Sequence, residues 1–148
     1  MKISTKGRYG LRAMVDLAVN SSSDYTALNE IAERQDVSEN YLEQVFATLR
    51  KAGLVKSIKG AQGGYALADA PSKITVGNVL RVLEGDLSIV ENIEEKRKSE
   101  NLIEQCITDK VWETVNGSIN KVVDSITLEN LAEEYKQLNN KVSLMFYI

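Results

Sequence analysis

Side chains that can form directional hydrogen bonds are concentrated in one short stretch, Ser38–Gln44, of this 148-residue chain. A glutamine amide can pair with adenine, a glutamate carboxylate can accept from cytosine, and a serine hydroxyl can donate or accept. Apolar residues interleave at helical spacing, so the sequence predicts a helix with one buried and one polar face. The residues expected to face outward are Ser38, Glu39, Asn40, Tyr41, Glu43 and Gln44, and those expected in the core are Leu42, Val45, Phe46 and Leu49.

Other kinds of chemistry find little support in the residue types. The chain has no histidine and one cysteine, which excludes Ser–His–Asp and Cys–His catalysis and an internal disulfide. The run Gly60–Gly64 lacks the spacing of a nucleotide-binding loop, and Glu94–Glu95 stands among polar residues. No apolar run can span a membrane, and no signal-peptide core is present. We therefore expect a cytoplasmic protein that is not an enzyme.

Three helices are predicted in the first part of the chain. An apolar stripe indicates a first helix over residues 4–20, with Ser4 or Thr5 as its cap. A short second helix is expected to begin at a Thr26 cap, and Ser38 is expected to cap the third.

A hairpin and a fourth helix follow. Gly53 stands where a left-handed C-terminal cap is needed. The apolar pattern then alternates with a period of two on either side of Lys59–Gly64, which predicts a hairpin with a glycine-rich tip. Thr75 is expected to cap a helix that ends near Gly85. Three helices followed by such a hairpin indicate a winged helix-turn-helix, a mainly α fold with a small β-wing.

The charge is divided unevenly along the chain, although the net charge is −3. Residues 1–83 carry 11 Lys/Arg and 8 Asp/Glu, whereas residues 84–148 carry 7 and 13. This division favours a nucleic-acid-facing first half, in which Lys6, Arg8 and Lys59 suit phosphates. Ordinary solvated polar faces remain the alternative explanation.

The second half of the chain is expected to mediate dimerisation. A polar connector over residues 84–100 precedes a long predicted helix over residues 101–125, and a short helix and apolar tail close the chain. A long apolar stripe is expected to pair with a second copy, although packing within one chain is the alternative. We therefore predict a DNA-binding domain over residues 1–83 and a dimerisation helix with its tail over residues 101–148. The stripe consists of Ile103, Ile107, Val111, Val115, Ile119, Val122 and Val123.

Cys106 permits two interpretations. It lies on or near the apolar side of the long predicted helix, where a lone cysteine is more often a buried small hydrophobe than a redox sensor. One thiol cannot hold an iron–sulfur cluster, because such clusters need about four ligands.

Several motifs in fixed order resemble the Rrf2 family of bacterial winged-helix regulators over almost the whole chain. That resemblance implies a homodimeric transcription factor. The motifs are MKISTKGRYGL from Met1, SENYLEQ from Ser38, LRKAGLV from Leu49, GAQGGY from Gly60, CITDKVW from Cys106 and SITLENL from Ser125.

The resemblance also implies roles for individual residues. The first helix is expected near the DNA backbone, the third helix at the bases and the hairpin as the wing, and we add two basic residues at the end of the third helix as phosphate contacts. The DNA-binding residues are expected to be Lys6, Arg8, Tyr9, Ser38, Tyr41, Glu43, Gln44, Arg50, Lys51, Lys59, Gln62, Gly63 and Gly64.

This chain departs from the pattern of cluster ligands found in the family's cluster-binding members. Cluster-binding members carry three cysteines and a histidine, whereas this chain has Cys106, Asp109 at the histidine position and no cysteine in residues 91–105. The resemblance therefore favours the cluster-less members, among them a repressor of cysteine metabolism that senses through cysteine synthase. The segment after Cys106 is nevertheless similar to the cluster-binding members, so the effector is left open.

The expected function is that of a sequence-specific repressor that reads a near-palindromic operator as a homodimer. One alternative is a regulator of iron–sulfur biogenesis or redox state that acts through Cys106. Another, of a different class, is a winged-helix module that binds protein.

Overall fold

The computed structural model describes residues 2–20, 24–61 and 63–147. Helices dominate it, and the strands pair as one antiparallel hairpin in which Val55 faces Leu67 and Ile58 faces Gly64. The predicted mainly α fold with a small β-wing is confirmed. The elements are α1 (Thr5–Val19), α2 (Leu28–Gln35), α3 (Glu39–Lys51), β1 (Val55–Ile58), β2 (Gly64–Leu67), α4 (Val76–Glu84), α5 (Ile93–Arg97), α6 (Leu102–Ile107), α7 (Glu113–Ser125) and α8 (Leu128–Tyr147).

The N-terminus of α1 is fixed by a carboxylate from the end of α4. Oε1 of Glu84 accepts hydrogen bonds from the backbone N–H groups of Ser4, at 2.9 Å, and Gly7, at 3.0 Å, and from the Ser4 hydroxyl. These N–H groups have no partner within the helix, and a negative charge there complements the helix dipole. Ser4 also caps α1 through its side chain, which settles the predicted choice between Ser4 and Thr5.

An ion pair between a buried carboxylate and an exposed guanidinium joins α1 to α2. Asp16 is buried in the last turn of α1, and Arg34 donates to both of its carboxylate oxygens at 2.8 and 3.0 Å. The Gln35 amide donates to the same carboxylate at 2.9 Å. The hydrogen bonds that Arg34 donates to Asp16 raise the pKa of the guanidinium above its ordinary value. Because the buried charge is paired, its desolvation is compensated.

The core combines residues from both halves of the chain. Met14, Ile31 and Phe46 from the first three helices are fully buried, and so is Leu128 at the start of α8. Ala132, one turn further along α8, belongs to the same cluster. The division at residues 83 and 100 stays a prediction, but the first and third of the predicted parts share one core.

Helices α4 and α8 begin side by side. Thr75 and Asn78 form a capping box at the start of α4, with hydrogen bonds of 3.0 and 2.9 Å. Thr127 and Asn130 repeat that arrangement at the start of α8, at 3.1 and 2.9 Å. Backbone hydrogen bonds from Val76 to Ile126 and from Leu128 to Ile74, at 2.8 and 2.9 Å, join the two starts. The predicted Thr75 cap is therefore confirmed.

The second half differs from the prediction in three ways. The long helix is interrupted by a π-helical turn at Thr108–Trp112, which separates α6 from α7. The polar connector contains the short helix α5. The last helix was expected to be short, but α8 has 20 residues, because the apolar residues Leu138, Val142 and Met145 continue at helical spacing.

The predicted cap of α2 is wrong. Residue Ala27 occupies the N-cap position without a side-chain hydrogen bond. Thr26 instead pairs with Tyr65 of β2, through backbone hydrogen bonds of 2.8 Å in both directions. A Cβ atom on Gly64 would lie 2.3 Å from the Thr26 carbonyl oxygen, so this close approach requires glycine.

In the part of the chain that the structure describes, no helix has the length and hydropathy needed to cross a membrane.

The substitution Gly64→Ala should destabilise the fold, because its methyl group would meet backbone atoms of Thr26 that cannot rotate away. We expect a loss of about 1–3 kcal/mol, as for other overpacking substitutions, measured by urea denaturation at fixed protein concentration. Gly117→Ala is the matched control: a Cβ at this helical glycine meets nothing within 4 Å, so alanine should stabilise by about 0.5–1 kcal/mol. Equal stability of Gly64→Ala and the parent chain would contradict this explanation.

Candidate nucleic-acid interface

Helix α3 has two distinct faces. Leu42, Val45, Phe46 and Leu49 are each at most 1% exposed, whereas Ser38, Glu39, Asn40, Glu43 and Gln44 are exposed and Tyr41 is half-buried. The predicted division of the helix into core and polar faces is confirmed.

The N-terminal end of α3 presents polar groups outward. Ser38 is the N-cap, and its hydroxyl oxygen accepts from the Tyr41 N–H at 3.1 Å. Among the described residues, the side chains of Glu43 and Gln44 have no hydrogen-bond partner. Both can therefore bond to an external partner without breaking a contact within the chain. A helix N-terminus also favours a phosphate through its free N–H groups.

Two contacts fix the hairpin against α3. The Phe46 and Tyr65 rings pack with their centroids 4.8 Å apart. The Arg50 guanidinium donates to the Ser57 hydroxyl at 3.3 Å. The hairpin therefore has a defined position beside the polar face of α3.

The hairpin tip carries Lys59 next to glycine. Lys59 is exposed and Gly60 has φ of +120°, a conformation that favours glycine. The Gly63 N–H donates to the Gly60 carbonyl at 3.0 Å and closes the turn. Gly64 begins β2, where its absent side chain is explained by the approach of Thr26. Gln62, also predicted to bind DNA, lies outside the described residues.

The basic side chains predicted to contact phosphate lie on α1, at the end of α3 and on the hairpin. Arg8 donates to the Thr5 hydroxyl at 3.2 Å. Lys6, Lys51 and Lys59 have no hydrogen-bond or ion-pair partner among residues 2–20, 24–61 and 63–147. These lysines can approach an anion without separating from a carboxylate.

Tyr9 lies against the start of α3. Its ring meets the Tyr41 ring edge-on, with centroids 6.4 Å apart and planes at 85°. The Arg12 guanidinium lies over the Tyr9 ring, 4.7 Å from its centre. Arg12 is not among the residues predicted to bind DNA, although its spacing of three from Tyr9 places both on one side of a helix.

Cys106 is exposed in the single chain, so the expectation that it is a buried small hydrophobe is not met here. The apolar neighbours that suggested burial, such as Ile103 and Ile107, are themselves exposed. No group of three or more His, Cys, Asp or Glu side chains suited to a metal ion occurs among the described residues.

Comparison with known proteins agrees with this geometry. A family profile described as "Rrf2: Iron-dependent Transcriptional regulator" matches residues 3–134. The HTH-type transcriptional regulator CymR of Bacillus subtilis is 45% identical over 148 residues, which is 100% of both chains.

Solved structures show the same fold. CymR, the global cysteine regulator of B. subtilis, superposes with a TM-score of 0.77 at 46% identity, covering 90% of this chain and 98% of that one. IscR of T. potens superposes with a TM-score of 0.73 at 47% identity, covering 93% of this chain and 90% of that one. The match spans the helices and hairpin described above, and these relatives are regulators rather than enzymes. The chain therefore belongs to the Rrf2 family and is a DNA-binding transcriptional regulator.

Proposed function

We propose that the chain is a homodimeric repressor that reads a near-palindromic operator through α3 and the hairpin, and acts in the cytoplasm. The observation that carries this proposal is the polar N-terminal end of α3. Glu43 and Gln44 are exposed there without partners in the described structure, while the opposite face of the helix is anchored in the core. An anchored helix can hold such groups at the fixed distances that base recognition requires.

Phosphate contacts would set the register of α3 in the groove. Lys6 and Arg8 approach from α1, Arg50 and Lys51 from the end of α3, and Lys59 from the hairpin. These groups carry no sequence information, but they fix the orientation from which Ser38, Tyr41, Glu43 and Gln44 read the bases. Tyr9 supports Tyr41 from α1.

The apolar surface of the second half supports dimerisation. Along α6 and α7, Ile103 is 72% exposed, Val122 is 56% exposed, and Ile107, Val111 and Val115 lie between them with 37–40% exposed. A row of exposed apolar side chains of this kind marks an interaction surface, although Ile119 and Val123 of the predicted stripe pack within the chain. A second copy arranged about a two-fold axis would cover it and place two α3 helices about 34 Å apart, one turn of DNA.

We propose cysteine or sulfur metabolism as the controlled process and a signal other than an iron–sulfur cluster. Full-length similarity to CymR supports the first part. The family profile is described as iron-dependent, but this chain has one cysteine and no histidine, which does not fit the four ligands of a typical cluster. Cysteine synthase is the proposed partner that conveys the signal, as the family resemblance implies.

A second candidate is direct redox sensing by Cys106, which would make the chain a redox-responsive or iron–sulfur-biogenesis regulator. The exposure of the thiol favours this alternative, because oxidation requires access.

Selection from a pool of random duplex DNA tests the proposed function. We expect an inverted repeat whose half-sites are centred about one helical turn apart. Enrichment of an unpaired half-site would contradict the dimeric arrangement. Binding that never exceeds the non-specific level would contradict operator reading and favour a module that binds protein.

The substitution Gln44→Ala should relax the preference for one base pair in each half-site and weaken operator binding by about 1–3 kcal/mol, because one bidentate contact is lost. Affinities for the selected operator and its single-base variants provide the measurement. Gln137→Ala, an exposed glutamine on α8, is the control and should change neither quantity. An unchanged base preference in Gln44→Ala would show that α3 does not read DNA through this residue.

Protein purified without oxygen should contain neither iron nor labile sulfide in amounts stoichiometric with the chain, because the ligand set is incomplete. Iron and sulfide assays with an absorbance spectrum provide the measurement. A brown, iron-loaded protein would overturn the proposal. Operator affinity measured before and after peroxide treatment tests redox sensing by Cys106. A loss of affinity in the parent chain, with no loss in Cys106→Ser, would support that alternative.

A further inference from the structure

Arg12 connects two elements that flank the helix-turn-helix turn. Its Nη2 donates to the Gln35 carbonyl oxygen at 2.7 Å, and its Nε donates to Gln35 Oε1 at 3.3 Å. Gln35 is the last residue of α2, and the next residue, Asp36, makes the turn with φ of +53°. The guanidinium therefore holds the end of α2 at the point where the chain reverses toward α3.

The same guanidinium is joined to the start of α3 through two rings. Its Cζ atom lies over the Tyr9 ring, 4.7 Å from the ring centre, a distance at which a cation and an aromatic face attract each other. Tyr9 in turn meets Tyr41 edge-on. Contacts from Gln35 through Arg12 and Tyr9 to Tyr41 thus span the turn on the side of α1.

We propose that Arg12 is a positioning residue that determines how well the regulator discriminates its operator from other DNA. This inference rests on the proposed role of α3 in reading bases. A small rotation of α3 would misalign directional bonds from Glu43 and Gln44 to base edges, whereas contacts between lysines and phosphates tolerate it. Loss of the Arg12 contacts should therefore reduce specific binding and leave non-specific binding intact.

The exposed position of Arg12 offers the competing explanation that it contacts phosphate directly. Two of its nitrogens already donate to Gln35, and its Cζ atom already lies over the Tyr9 ring. Lysine keeps the charge but cannot reproduce a fork of donors together with ring stacking. Arg12→Lys therefore separates the two roles, because a phosphate contact would survive it and the positioning contacts would not.

The experiment compares affinities for the selected operator and for a scrambled duplex over a range of salt concentrations. We expect Arg12→Lys and Arg12→Gln each to lower the ratio of the two affinities by about tenfold, with unchanged affinity for scrambled DNA and an unchanged salt slope. Lys59→Ala is the reference for a phosphate contact and should weaken binding to both duplexes and reduce the slope by about one.

A double-mutant cycle tests whether the contacts act as one unit. Tyr9→Leu removes the ring between Arg12 and Tyr41, and adding Arg12→Lys to it should cause little further loss of discrimination. Thermal unfolding and titration of the active fraction distinguish misfolding of a variant from a true loss of discrimination. Misfolding would lower the apparent affinity for both duplexes equally.

Three results would overturn the inference. The first is discrimination by Arg12→Lys equal to that of the parent chain. The second is a loss of affinity of Arg12→Gln for both duplexes with a reduced salt slope. The third is additivity of the two substitutions in the cycle. If the parent chain itself shows no discrimination, the proposed function fails and this inference fails with it, whereas discrimination that survives Arg12→Lys removes only the inference.

Discussion

The position of α1 determines the rest of the structure, and one carboxylate fixes that position. Glu84 accepts from the N-terminal donors of α1, and Gly7 and Gly10 allow α4 to approach the helix where a Cβ atom would collide with Glu84 or Leu83. Helix α1 in turn contacts α2, α3, β2 and α8. The contacts that α1 makes with α3 therefore depend on how α4 positions α1, and α4 also contacts α3 directly.

Some basic side chains of the described structure are paired with carboxylates, whereas the lysines predicted to contact phosphate are not. In the second half, Arg97 is paired with Glu113 and Glu94, which raise its pKa, and Lys96 lies 3.7 Å from Glu104. Arg81 is paired with Asp124, at 2.6 Å, and lowers the pKa of that carboxyl. Lys6, Lys51 and Lys59 lack such partners in the described structure. A chain with a net negative charge can thus keep uncompensated positive charge on the surface proposed to meet DNA.

Local signals in the sequence predicted the fold well where a residue's role depends on its neighbours in the chain. The two faces of α3, the Ser38 cap and the left-handed Gly53, with φ of +82°, follow from spacing and backbone preference. The predicted Thr26 cap was wrong because the Thr26 backbone pairs with Tyr65, on a strand distant in sequence. Likewise, the exposure of Cys106 and the contacts of Arg12 depend on tertiary packing, which periodicity does not encode.

The paired starts of α4 and α8 restrict how sequences of this kind can be recombined. Leu128 and Ala132 belong to the core cluster that includes the buried residues of α3, and the backbone at Ile126 and Leu128 satisfies polar groups of Ile74 and Val76. A chimaera joined after α4 would place a foreign side chain in that core and a foreign backbone against those groups. An exchange of operator specificity between relatives would therefore have to transfer the first turns of α8 together with the reading helix, although they are nearly 80 positions apart along the chain.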